Sequence, residues 1–140
     1  MFQKVDGEVF FNKLYEDENF CQQLGKVILS ASKLEAIIIR FLNNKNIDDI
    51  NKKATLGQLI EKIKIKKLLD KNILVILKEL SSQRNYLTHN IYLLLLNMID
   101  ETVLERNELC YEDVHLYAER AYILADNLNA ISEIVKNELK

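Results

Sequence analysis

Proline is absent from the 140 residues and glycine occurs only three times. Proline breaks helix interiors, and a many-stranded chain needs frequent turn residues, so the expected class is all-α. Neither sign of charge dominates. With 19 basic and 21 acidic side chains the formal net charge is -2, which argues against a surface that holds polyanions through bulk electrostatics. Any contact with nucleic acid must then be local. The two cysteines, Cys21 and Cys110, lie far apart and match no metal or redox spacing, so both are expected to be reduced and structural. The segment from Met1 to Gly7 lacks the charged-then-apolar layout of a secretory signal. The longest apolar stretch, around Ile91 to Ile99, is too short to span a bilayer. A cytoplasmic protein is expected.

What is present fits one folded unit. Hydrophobic residues make up 49% of the chain and charged ones 29%, ordinary globular usage and far from the signature of disorder. The length suits a single domain over residues 1–140, with one core. After the Asp6-Gly7 break, Val9, Phe10, Phe11, Leu14 and Tyr15 recur at helical spacing, which predicts a short first helix packed as a lid. From Glu18 to Leu42, the residues Leu24, Val27, Ile28, Ala31, Leu34, Ile38, Phe41 and Leu42 form one broad apolar face. A polar break over Asn43 to Asp49 follows. Thr55 then reads as the N-cap of a short helix bearing Leu56, Leu59, Ile60 and Ile63. A third long helix is expected from Asp70 to Leu96 and a last one within Leu109 to Lys140, carrying Val114, Tyr117, Ala121, Leu124, Leu128, Ile131 and Val135. The expected architecture is a four- to five-helix up-and-down bundle.

The third long helix carries the unusual residues. At about 100° per residue, Ile73, Leu77, Leu80, Leu87, Ile91 and Leu94 line one stripe, and Arg84 falls in its middle. Arginine is rarely buried unless paired, so this position implies an acidic partner, a subunit interface or a cleft for an anion. Asn85, Thr88, His89 and Tyr92 have offsets of zero, three, four and seven, which put them on one helical face. On a straight helix Arg84 and His89 would point about 140° apart. A bend would bring them closer, and a two-fold dimer through this helix would build a composite site from two copies.

The segment Arg84-Asn85-Tyr86-Leu87-Thr88-His89 resembles the motif of the HEPN superfamily, small helical domains in which an Arg, usually followed by a polar residue, precedes a His by four to six residues. The layout also resembles theirs: a long helix before the motif, the short helix around Thr55-Leu56-Gly57-Gln58-Leu59-Ile60, the run Leu77-Lys78-Glu79-Leu80 into Arg84, and a closing helix. The resemblance implies a metal-independent endoribonuclease acting as a homodimer, often the toxin of a toxin-antitoxin or phage-defence system. Members paired with a nucleotidyltransferase antitoxin typically carry a Tyr two residues after the His, where the partner modifies it. Here Ile91 stands at that position and Tyr92 follows. A regulatory family, the mannitol-operon repressor type, has similar wording, so a silent binding module is the alternative.

For a ribonuclease the chemistry is economical, because RNA supplies its own nucleophile, the 2′-OH. His89 would move protons. Arg84 would stabilise the charge that builds on the phosphoryl oxygens. Asn85, Thr88 and Tyr92 would bind or orient substrate, with Tyr86 or Tyr92 stacking on a base. No metal and no cofactor is expected, since the acidic residues read as solvated helix faces and Glu112-Asp113 beside His115 as a helix start. The expected partners are an RNA substrate, a second copy of the chain and an antitoxin protein, with no membrane.

Overall fold

The computed structural model describes residues 4–45, 54–98 and 108–138. Five α-helices form an all-α bundle: α1 (Gly7–Glu16), α2 (Glu18–Asn44), α3 (Leu56–Lys66), α4 (Lys71–Asn85) and α5 (Asp113–Glu138). Each of the first four is started by a side chain that accepts a backbone N–H left over at a helix start. Asp6 accepts from Val9, Asp17 from Phe20, and Asp70 from Asn72. Thr55 forms a reciprocal capping box with Gln58. Asp17 also ends α1, its own N–H donating to the Leu14 carbonyl, so one residue makes the corner between two helices.

The two long helices, α2 and α5, form the most extensive packed pair. Leu34, Ile38 and Leu42 of α2 and Tyr117, Ala121 and Leu128 of α5 are shut away from solvent. Helix α1 is no lid. Phe10 and Leu14 are core residues, and the Phe10 ring meets Tyr117 edge-on at 5.0 Å between centroids.

Two stretches depart from a single regular helix. The last helix starts at Asp113, as the Glu112-Asp113 pair suggested, whereas Leu109–Cys110 ahead of it pairs antiparallel with Lys4–Val5 as a two-residue ladder, β1 (Lys4–Val5) with β2 (Leu109–Cys110). The reason is local: the Asp113 carboxylate accepts the Cys110 N–H at 2.8 Å, which closes a turn ahead of the helix. The run from Asp70 to Leu96 is not one α-helix either. Helix α4 ends at Asn85, a π turn covers Tyr86–Asn90, and a 3₁₀ turn covers Ile91–Leu96. Tyr86 and Leu87 are buried within the π turn, and the Tyr86 hydroxyl shares a hydrogen bond of 2.8 Å with that of Tyr117. The 3₁₀ turn is tied to α1, since the Asn97 side chain accepts the Gly7 N–H at 3.1 Å. Among the described residues, no helix is long and apolar enough to cross a membrane.

Candidate functional site

The π turn decides where the motif residues point. In such a turn the backbone hydrogen bond spans five residues instead of four, so the helix takes up one extra residue and side chains five apart turn toward each other. Arg84 and His89 are five apart. The separation of about 140° expected for a regular helix is reduced, and Arg84 Nη1 donates to His89 Nε2 at 3.1 Å within one chain. No second copy is needed to bring the pair together. The guanidinium has only donors, so Nε2 must offer its lone pair and the imidazole proton sits on Nδ1.

Thr88 stitches the same turn. Its hydroxyl donates to the Arg84 carbonyl at 2.8 Å, the side-chain back-bonding that distorts helices.

Arg84 is 9% exposed. Its Nη2 lies 3.7 Å from Glu35 Oε1 on α2, an ion pair with the carboxylate about a quarter exposed. Its Nε is buried and makes no hydrogen bond. Of the three partners expected for a buried Arg84, the structure supplies an acidic side chain and a cleft together. That cleft, about 280 Å³, is walled on one side by Arg84, Thr88 and His89 and on the other by Ile28, Ala31, Ser32 and Glu35. The second wall repeats at three, four and seven, the spacing of one α2 face. Sequence reasoning missed Glu35, although a carboxylate ending that otherwise small and apolar stripe was the available signal.

The polar face expected from offsets of zero, three, four and seven is split by the π turn. Thr88 and His89 open into the cleft with Arg84. Asn85 does not, and lines a separate cleft with Asn90, Gly57 and Ser81. Tyr92, half exposed on the 3₁₀ turn, lines neither cleft. Tyr86 is unable to stack on a base, because its ring is buried and faces Tyr117 at 6.4 Å. Burial pushes the Tyr86 hydroxyl above its ordinary pKa, and the hydrogen bond shared with Tyr117 offsets part of that rise.

His115 is exposed on α5, and among the described residues no group of three His, Cys, Asp or Glu side chains is arranged to hold a metal ion. The site's functional groups are thus one imidazole, one guanidinium, one carboxylate and two hydroxyls. They can accept a proton, bind an oxyanion through a planar fork, and orient a phosphodiester between two walls. Compared with known proteins, the chain matches no family model, no curated protein and no solved structure.

Proposed function

We propose that the chain is a metal-independent endoribonuclease of HEPN type, with Arg84 and His89 as its catalytic residues. The observation that supports this reading is the 3.1 Å contact between the two side chains at the mouth of a cleft, made possible by a π turn. π turns are rare and occur often at functional sites.

The geometry suggests an order of events. In the free protein the His89 Nε2 lone pair is held by Arg84 Nη1. A phosphodiester entering the cleft offers the guanidinium two oxygens in place of one ring nitrogen, which draws Nη1 away and frees Nε2. His89 then takes the proton of the 2′-OH, whose oxygen attacks the adjacent phosphorus. The negative charge that builds on the phosphoryl oxygens is met by Arg84, which stays protonated throughout. The 5′-oxygen leaves and takes a proton from solvent, the His89 imidazolium gives its proton back to solvent, and the product ends are a 2′,3′-cyclic phosphate and a 5′-hydroxyl. Glu35 holds Nη2 from the facing wall and keeps the fork pointed across the cleft. Thr88 keeps the π turn in register. A homodimer through this face and a toxin role with an antitoxin partner belong to the same proposal.

A binding module without turnover is the second reading, favoured by the Glu35 carboxylate that already neutralises part of the Arg84 charge. One experiment separates the two. RNA incubated with the protein in EDTA is cleaved under the first reading, and His89→Ala removes cleavage while RNA still binds. Binding without cleavage by the unmodified protein leaves only the second. Cleavage at the unmodified rate by both His89→Ala and Arg84→Ala contradicts both roles.

A further inference from the structure

The basic charge is unevenly placed. Residues 61–78 hold six lysines against Glu61 and Asp70, a net +4, in a chain whose net charge is -2. The remainder of the chain therefore carries -6. Where α3 ends and α4 begins, Lys64, Lys67, Lys71 and Lys78 stand around a groove of about 560 Å³, twice the volume of the Arg84 cleft. The other residues lining it are Leu69, Leu74 and Val75, and the Val75 side chain is 65% exposed.

Local helix energetics explain only part of this pattern. Lys64 lies in the last turn of α3, where the helix dipole favours a cation, and it reaches Glu61 at 4.0 Å. Lys71 is the first residue of α4, the end at which a cation is disfavoured. Among the described residues, Lys67, Lys71 and Lys78 make no ion pair. Three unneutralised ammonium groups thus surround an apolar floor that solvent reaches.

We propose that this groove docks an acidic amphipathic helix from a partner protein, its apolar side chains on Leu69, Leu74 and Val75 and its carboxylates on the lysine rim. The lining decides among polyanions. It has no aromatic ring or guanidinium on which a base could stack, which disfavours single-stranded RNA. Leu69, Leu74 and Val75 line the same groove as the lysines, a combination that suits the anchor side chains of an amphipathic helix. Lysine suits carboxylates presented at varying positions, being a flexible point charge with no fixed fork. The inference does not rest on the roles given to Arg84 and His89.

The test uses the whole chain and a labelled synthetic helical peptide with leucines at i, i+3, i+4 and i+7 and glutamates elsewhere, followed by fluorescence anisotropy. The peptide is expected to bind, more weakly as salt is raised. Binding should weaken on the order of tenfold in a Lys64→Glu/Lys71→Glu/Lys78→Glu protein and comparably in Val75→Asp, while Arg84→Ala binds as the unmodified protein does. All four altered side chains of the groove are solvent-exposed, and circular dichroism checks the fold. Should the charge reversal unfold the chain, Lys71→Gln/Lys78→Gln takes its place. Peptide binding that is absent, or equal in all variants, overturns the proposal. So does an RNA oligonucleotide or a phosphatidylglycerol vesicle that binds in preference to the peptide and is lost in the same variants. Self-association abolished by the same charge reversal would assign the groove to a second copy and would also overturn it.

Discussion

Helices α2 and α5 keep regular α geometry over 27 and 26 residues, whereas the run from Lys71 to Leu96 passes through α, π and 3₁₀ geometry in turn. The regular pair holds much of the sealed core. The irregular run holds the proposed catalytic pair. A regular helix repeats its faces at three and four, so it builds an apolar stripe well and aligns residues five apart poorly. The π turn gives up that repeat to bring Arg84 and His89 into contact. Stability and chemistry are thereby assigned to different stretches of the chain, and substitutions should separate them.

The largest effect on stability is expected in the regular pair. Leu34 of α2 is fully buried, so Leu34→Ala should cost about 2 to 5 kcal/mol in denaturant unfolding. Cleavage per folded molecule, measured well below the unfolding midpoint, should stay the same. A variant that kept its stability would show that α2 is not the scaffold described above.

Gly7 is where the scaffold meets the irregular run. A Cβ there would collide with the Leu94 backbone carbonyl of the 3₁₀ turn, and neither partner is the end of a flexible side chain. Gly7→Val should destabilise by about 1 to 3 kcal/mol. Because the 3₁₀ turn follows directly on the π turn, cleavage should fall as well. An effect on stability alone would show that the two turns move independently.

Thr88→Val reverses the balance. It removes the hydroxyl donated to the Arg84 carbonyl and should cost only about 0.5 to 1.5 kcal/mol of stability. Cleavage should fall more steeply than stability, since the register of Arg84 against His89 depends on this turn. Equal cleavage by Thr88→Val and the unmodified protein would mean that core packing alone holds the π geometry.

The smallest effect is in alkaline solution. The buried Tyr86 hydroxyl has its pKa raised above 10.0 in the folded chain, so the folded state keeps this proton to higher pH than the unfolded one. The stability it contributes is complete below pH 10 and is lost as pH rises beyond that value. The thermal midpoint of the unmodified protein should fall more steeply across that window than that of Tyr86→Phe. Parallel curves would exclude Tyr86 as the titrating group.

The helix starts were legible because each depends on residues within four positions: Asp6, Thr55 and Asp70 announce helices whatever the rest of the chain does. The long faces of α2 and α5 were legible by their period. The π turn was not, because it answers to the distant Tyr117, whose hydroxyl takes that of Tyr86 and whose ring also meets Phe10 and Phe20. The same change of register brings Arg84 and His89 together, while Asn85 and Tyr92, expected on one face with His89, lie away from that cleft. Glu35 is brought to Arg84 by the packing of α2 on α4, which no local pattern encodes.

The most direct measurement of the central claim is the end-group chemistry of cleavage in EDTA, with mass spectrometry of the products from an RNA oligonucleotide and from its fully 2′-deoxy counterpart. The account expects 2′,3′-cyclic phosphate and 5′-hydroxyl ends from the RNA, no cleavage of the deoxy strand, and a rate about 10² to 10⁴ lower for His89→Ala. Cleavage of the deoxy strand, or a His89→Ala protein as fast as the unmodified one, would contradict it.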